Sequence, residues 1–62
     1  MRYDYQHATS PDLDAMESAI LSSSIASLYS FFRWDEDDGL LKCFMTRELD
    51  AAEKAVLDSI AQ

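Results

Sequence analysis

Apolar residues in the first half of the chain recur at helical spacing. They run from Pro11 to Ser23 and follow the period of a single helix face. The members of this stripe are Leu13, Met16, Ala19 and Ile20. Ser10 can accept a hydrogen bond from a free amide, and Pro11 suits the first helical position. The pattern therefore predicts a first helix that begins at Ser10.

The end of this helix is less sharply marked. Serines at positions 22, 23, 24 and 27 weaken a helix interior, because their hydroxyls compete for backbone hydrogen bonds. Ile25 and Leu28 nevertheless continue the apolar stripe. We place the end between Ser23 and Ser27 and assign residues 10–27 to the helix.

Two runs rich in aromatic and apolar residues predict a β-hairpin. Leu28–Trp34 and Leu40–Met45 flank the dipeptide Asp38-Gly39, and Asp-Gly between such runs favours a type I′ turn. A two-residue loop at this dipeptide places Asp35 opposite Lys42. A three-residue loop with a bulge at the glycine is the alternative, and it would slip one strand by one residue.

The first register sorts the hairpin side chains into two faces. One face is apolar and is expected to pack on the helices: Phe32, Trp34, Leu41, Cys43 and Met45. The other mixes aromatic and charged residues: Tyr29, Phe31, Arg33, Asp35, Lys42 and Phe44. The slipped register would exchange these faces for one strand. We prefer the first register because it separates apolar from charged residues more cleanly.

The two ends of the chain have patterns of their own. Residues 1–9 alternate, with Tyr3, Tyr5 and His7 on one side, which predicts a short edge strand or an extended arm that packs on something. In the segment 47–62, a second helix is expected with Thr46 or Asp50 as its cap, and Asp50 and Glu53 have the spacing of a capping box. The apolar stripe of this second helix is Leu49, Ala52, Val56, Leu57 and Ile60.

These elements predict a single small α+β domain over residues 1–62. Its parts are an extended N-terminal arm (1–9), helix 1 (10–27), a β-hairpin (28–46) and helix 2 (47–62). In this helix–hairpin–helix (αββα) arrangement, both helices pack on one face of a two-stranded hairpin. The mixed face of the hairpin is left uncovered.

The chain is short for an independent domain. It has 62 residues and one cysteine, so an internal disulfide is excluded and a structural zinc site lacks ligands. Chains of this size usually gain stability from a disulfide, a metal or a partner subunit. Association, as a homo-oligomer or within a larger protein assembly, is therefore favoured.

Charge narrows the classes of partner. Twelve acidic and five basic residues give a net charge of −7 and a pI near 4.2, and this field repels nucleic acid and anionic lipid. No apolar run approaches the roughly 20 residues of a membrane span. We expect a soluble intracellular protein, with no direct nucleic-acid binding and no membrane contact.

The candidates for chemistry are few. Cys43 falls on the apolar face, where a lone cysteine usually acts as a small hydrophobe. His7 is the only histidine and lies in the arm, so no nucleophile–base pair is indicated. The single glycine, Gly39, excludes a phosphate-cradling loop. We predict that the protein is not an enzyme and needs no cofactor or metal.

Four consecutive carboxylates precede Gly39: Asp35, Glu36, Asp37 and Asp38. A calcium loop of the EF-hand type fails here, because Met45 stands where a glutamate is required. Two interpretations remain. The carboxylates are a solvated hairpin tip that discourages edge-to-edge aggregation, or they form an acidic prong for a basic partner.

Two hypotheses for function follow from these features. The first is a structural or assembly protein, a small subunit of a larger symmetric complex, whose interface residues are Tyr3, Tyr5, Tyr29, Phe31, Arg33 and Phe44. The second is an acidic mimic of nucleic acid that inhibits a host nuclease, a defence system or a polymerase. We favour the first, because the exposed aromatics and the small size both point to association.

The order of elements over residues 11 to 61 resembles that of the small head-to-tail joining proteins of tailed bacteriophages. The resemblance is one of helix, hairpin and helix in sequence, without a shared motif. It implies a phage virion accessory or head-tail joining role for the first hypothesis, and a location in the host cytoplasm or in the virion.

Overall fold

A computed structural model of the chain describes residues 1–62. It contains two α-helices and one antiparallel sheet of three strands in the order β1-β3-β2, which confirms the α+β class. A single 3₁₀ turn, Ala26–Leu28, precedes β2. The elements are β1 (Arg2–Gln6), α1 (Leu13–Leu21), β2 (Tyr29–Asp35), β3 (Leu40–Met45) and α2 (Ala51–Ala61).

The N-terminal segment is an edge strand of the sheet, which is one of the two alternatives for residues 1–9, and this corrects the predicted two-stranded hairpin with an extended arm. β1 pairs antiparallel with β3, with Tyr3 opposite Cys43 and Tyr5 opposite Leu41. The amide of His7 then donates to the carbonyl of Gly39 at 2.9 Å. Because the apolar positions of both strands alternate in phase, one pairing puts all of them on the same side.

Helix α1 is shorter than predicted at both ends. Asp12 is its N-cap, since its carboxylate accepts the amide of Ala15 at 3.1 Å, so Ser10 does not start the helix. At the other end, the Ser23 hydroxyl donates to the carbonyl of Ile20 at 2.6 Å. The same oxygen accepts the amide of Ile25. This competition for backbone groups is the physical reason that α1 stops at Leu21.

The capping box predicted for helix α2 is present, although the helix begins later than predicted. Asp50 accepts the amide of Glu53 at 2.8 Å, and the Glu53 carboxylate accepts the amide of Asp50 at 3.0 Å, which completes the capping box. Arg47 donates to both Glu53 oxygens, at 2.9 and 2.8 Å. Residues 47–50 are an irregular lead-in, so the helix starts at Ala51 rather than at position 47.

The hairpin closes with a four-residue loop, so the predicted two-residue loop is wrong. Asp35 pairs with Leu40, and residues 36–39 form the turn. A type I′ turn needs positive φ at two successive residues, whereas Gly39, at φ +66°, is the only residue with positive φ. The register is therefore slipped by two residues, and because side chains alternate with a period of two, the faces survive the slip.

Tyr29 is the exception, and its predicted place on the mixed face is wrong. A β-bulge lies between Tyr29 and Phe31, so Tyr29 is opposite Met45 while Phe31 is opposite Phe44. The extra residue, Ser30, turns Tyr29 to the helix side of the sheet. There its ring lies 5.1 Å from that of Phe32.

Both helices pack on one side of the sheet, which we call the inner face. The buried core consists of residues from the inner face, both helices and their connections: Tyr5, Ile20, Ile25, Leu41, Cys43, Met45, Leu49, Leu57 and Ala61. No buried side-chain polar atom lacks a hydrogen-bond partner. Neither helix has the length and apolar run needed to cross a bilayer.

Candidate protein-interaction surface

The opposite side of the sheet carries no covering element. Each strand contributes three side chains to it, and we call these nine residues the open sheet face. They are Arg2, Asp4 and Gln6 from β1, Leu40, Lys42 and Phe44 from β3, and Phe31, Arg33 and Asp35 from β2.

Two phenylalanines form the aromatic part of the open sheet face. The rings of Phe31 and Phe44 stack with centroids 4.3 Å apart and planes 14° apart. Phe31 is on an edge strand and remains 49% exposed. Phe44 lies on the central strand and is half-buried. A large aromatic surface left in water on a flat sheet is typical of a contact surface.

Three of the five basic residues of the chain lie on this face. Arg2 pairs with Asp4 at 3.1 Å, and Lys42 lies 3.0 Å from Asp35. Arg33 is exposed and forms no salt bridge. Because arginine presents five donors in a fixed fork, an exposed Arg33 without a carboxylate is ready for one from another molecule.

The open sheet face differs from the rest of the molecule in charge. Its three cations and two carboxylates give it a net charge of +1. The whole chain carries −7, so the remaining residues carry −8. This face is therefore a slightly positive surface on a strongly acidic protein.

The acidic segment at the hairpin tip is partly used within the chain. Asp35 accepts the Lys42 ammonium and, through its other oxygen, the amide of Asp37 at 3.2 Å. The hydrogen bond from Lys42 lowers the pKa of Asp35. Asp38 lies 3.7 Å from the same ammonium. Only Glu36 and Asp37 of the predicted acidic prong are exposed and without a salt bridge.

Tyr3 and Tyr5 belong to the inner face, and their predicted contacts are made within the chain. The Tyr5 hydroxyl donates to Asp58 on α2, and the Tyr3 hydroxyl accepts the amide of Leu49 at 2.7 Å. The ammonium of Lys54 lies over both rings, at 5.6 Å and 5.2 Å from their centroids. The two tyrosines therefore pack on α2 and the segment before it.

The two candidate chemical residues, Cys43 and His7, also serve the fold. Cys43 is fully buried in the core, and burial raises the pKa of its thiol to about 12. The Nε2 atom of His7 lies 2.7 Å from the carbonyl oxygen of Ala61. The centroid of the His7 ring lies 6.3 Å from that of Trp34, and the two ring planes are 85° apart. Both side chains therefore hold elements together.

The sequence pattern predicted two strands of this surface, and for residues 1–9 it left a short edge strand or an extended arm open, without a pairing partner. Phe31, Arg33, Asp35, Lys42 and Phe44 were predicted to share one face, and they do. The β1 contribution was missed, although the alternation that sets Tyr3 and Tyr5 on one side sets Asp4 and Gln6 on the other. Only the pairing of β1 with β3 places these β1 side chains on the open sheet face.

The molecule has no pocket, and no three His, Cys, Asp or Glu side chains converge to hold a metal ion. A comparison with known protein families, curated proteins and solved structures found no match.

Proposed function

We propose that this chain is a non-enzymatic assembly protein, a small subunit of a larger protein complex, which contacts its partner through the open sheet face. The observation that carries the proposal is a sheet face left uncovered by its own chain, with a stacked aromatic pair and an unpaired arginine. Aromatic residues and arginine are enriched at interfaces and supply most of the binding energy there.

The positions of Cys43 and His7 support the non-enzymatic part of the proposal. A thiol whose pKa is raised to about 12 remains protonated at neutral pH and is a poor nucleophile. The ring of His7 is engaged with the last turn of α2. The virion-accessory role is one form of this proposal, and the phage resemblance behind it covers only the elements after β1.

The second candidate is the acidic mimic of nucleic acid, and the charge of −8 outside the open sheet face favours it. Many of the carboxylates, however, have structural partners. Five of the twelve are in salt bridges, and Asp12 and Asp50 cap the helices. Five others remain: Asp14, Glu17, Glu36, Asp37 and Glu48. We therefore rank this function below assembly.

A photo-crosslinking experiment tests the proposal. Benzoylphenylalanine replaces Phe31, and a control chain carries it at Leu21, which is equally accessible at 55% exposure but lies on α1. Irradiation in the cells that make the protein is expected to give an adduct of defined mass from position 31 and none from position 21. No adduct from position 31, or equal adducts from both, would overturn the proposal.

The same experiment separates the two candidates. The variant Glu36→Gln with Asp37→Asn removes the free charges of the tip and leaves the open sheet face intact. An assembly protein keeps its adduct from position 31 in this background. Loss of the adduct would favour the nucleic-acid mimic instead, because the partner would then depend on the carboxylates.

A further inference from the structure

We propose that the partner of the open sheet face is a second copy of the chain, which stacks face to face about a two-fold axis parallel to β3. This inference rests on the proposed function, since it names the molecule that the surface binds. Three observations carry it: the order of residues across the sheet, the net charge of the face and the unpaired Arg33.

The strand register arranges the open sheet face as three rows across the strands, each read from β1 through β3 to β2. The central row is Asp4, Lys42 and Arg33. The rows on either side are Arg2, Phe44 and Phe31, and then Gln6, Leu40 and Asp35. The central row thus has a carboxylate at one edge and an unpaired arginine at the other.

A two-fold axis along β3 exchanges β1 with β2 and leaves each row facing itself. Asp4 then lies opposite Arg33 of the partner subunit, and symmetry makes this pair twice. Phe44 meets Phe44 of the partner subunit, and Arg2 meets Phe31 of the partner subunit, a cation–π arrangement. The rotation of about 30° between stacked sheets is about the sheet normal, so it displaces positions least at the centre of the face, which the central row crosses at Lys42.

The other two-fold axis in the plane of the face runs across the strands, and its contacts are unfavourable. It places Asp4 against Asp4 and Arg33 against Arg33 of the partner subunit. It also places Phe31 against Asp35 of the partner subunit. Like charges brought face to face cost free energy, so the charge pattern selects the axis along β3.

The charge of the whole chain favours this surface for self-association. The residues outside the open sheet face carry −8, so two copies that met through them would bring strongly acidic surfaces together. The open sheet face carries +1. Lys42 meets Lys42 of the partner subunit on the axis, and each ammonium is already close to Asp35 and Asp38 within its own chain.

The area of the face sets the expected affinity. Three strands about 4.8 Å apart, each with about five residues of about 3.4 Å, give a face of roughly 15 Å by 17 Å, or about 250 Å², which is small beside the ~800 Å² that each partner of a stable dimer buries. We therefore expect a reversible dimer with a dissociation constant of tens of micromolar or weaker, on the order of 10⁻⁵ to 10⁻⁴ M.

Sedimentation equilibrium across a dilution series, from about 1 μM to about 1 mM, tests the inference. The wild-type mass is expected to rise from 7.0 kDa to twice that value. Asp4→Arg alone and Arg33→Asp alone should each raise the dissociation constant about tenfold or more, since each places like charges opposite one another. The double variant, with the charges swapped, should recover most of the wild-type affinity.

Asp14→Arg is the matched control, because it makes the same charge change on α1, away from the open sheet face. It should leave the dimer intact. Both Asp4 and Arg33 are exposed, and circular dichroism of each variant verifies that the fold is kept. A wild-type monomer at every concentration would overturn the inference. So would single variants that dimerise normally, or a double variant that does not recover.

Failure of this inference and failure of the proposed function give different results. If the chain is monomeric but a crosslinker at position 31 still gives an adduct of another mass, the face binds a different protein and the proposed function stands. If the chain is monomeric and position 31 gives no adduct, both are overturned.

Discussion

The two faces of the sheet are built from the same three strands and serve opposite purposes. The inner face supplies Tyr5, Leu41, Cys43 and Met45 to the core, all of them buried. The open sheet face places a half-exposed Phe31 among charged neighbours. The inner face stabilises the fold, and the open sheet face is left uncovered by the chain.

This difference shows how a chain of 62 residues divides a small amount of apolar surface. A domain of this size buries only about 60% of the surface that its unfolded chain exposes. Two helices are enough to cover one side of a three-stranded sheet. The apolar residues that remain on the other side are not covered by the chain, so they stabilise it little. They are available for contact with another molecule.

The strongest test of the comparison is a pair of neighbouring leucines in β3. Leu41 is fully buried on the inner face, and Leu40 is half-buried on the open one. Leu41→Ala should lower the free energy of unfolding by about 2–5 kcal/mol, because it leaves a cavity in the core. Leu40→Ala should cost less than about 1 kcal/mol. Urea unfolding followed by circular dichroism measures both.

Equal losses in the two leucine variants would contradict the comparison. They would mean that the open sheet face is buried in solution, which a tight dimer would cause. Repeating both measurements at tenfold lower protein concentration separates that case, because a dimer would lose stability on dilution and a monomeric fold would not.

How much of this could be predicted from the sequence depends on the range of each interaction. The Asp50–Glu53 capping box and the serines that end α1 act over two or three residues, and both effects were predicted, although α1 ends at Leu21, before the predicted Ser23 to Ser27. The pairing of β1 with β3 joins residues about 40 positions apart, such as Tyr3 and Cys43. No local pattern encodes that contact, so the edge strand stayed one of two alternatives and its pairing with β3 was not predicted.

The hairpin shows the same limit within one element. Asp38-Gly39 was correctly placed in the turn, but the loop length was wrong. Asp35 turns back to accept the amide of Asp37, which favours a longer loop over the two-residue turn. The bulge at Ser30 leaves no trace in the alternation, and it reverses Tyr29 alone. The open sheet face was therefore predicted for β2 and β3 except at this one residue.

The bulge makes a second test possible, smaller in effect than the leucine pair. Tyr29 packs against the core and Phe31 lies on the open sheet face, although they are two positions apart in one strand. Tyr29→Ser should lower the free energy of unfolding by about 1–2 kcal/mol, from lost apolar burial. Phe31→Ser should cost less than about 1 kcal/mol and instead weaken association.

The prediction holds if Tyr29→Ser changes mainly the stability and Phe31→Ser changes mainly the association. Urea unfolding reports the stability change, and sedimentation equilibrium reports association. If Tyr29→Ser weakens association while leaving stability unchanged, Tyr29 lies on the open sheet face and the bulge is misplaced.

A third test concerns the polar seam between β1 and α2. Tyr5→Phe removes the hydrogen bond to Asp58 and should lower the free energy of unfolding at pH 7 by about 1 kcal/mol. Burial and Asp58 raise the pKa of Tyr5 above its ordinary 10.0, so the unfolded chain loses this proton first. Wild-type stability from this group is therefore present below pH 10 and lost above it.

The variant has no such proton to lose, so the difference between wild type and Tyr5→Phe should shrink as the pH rises above 10. Urea unfolding at pH 7 and again above pH 10 measures this. Tyr3→Phe is the matched control, because its hydroxyl contacts the amide of Leu49 and not Asp58. A difference that stays constant across this pH range would show that the Tyr5 hydroxyl is not held by Asp58.

The smallest effect on stability is expected at Lys42, on the open sheet face. Lys42→Met removes a partly exposed ion pair, and pairs that remain in contact with solvent contribute little to the free energy of unfolding at neutral pH. The substitution should instead change the pKa of Asp35, which is held low by the hydrogen bond from Lys42. A carboxylate with a lowered pKa stabilises the fold above its ordinary value of 3.8, and this contribution is lost as the pH falls.

In Lys42→Met the pKa of Asp35 should return upward, and the fold should lose less stability on acidification than the wild type does. An NMR titration of the Asp35 carboxyl carbon measures the pKa directly. Lys54→Met is the control, since it releases Asp58 on α2 and should leave Asp35 unchanged. If the pKa of Asp35 is unchanged in Lys42→Met, Lys42 does not bind the carboxylates of the hairpin tip. All four carboxylates would then be free to bind a basic partner, and this result would favour the acidic-prong interpretation.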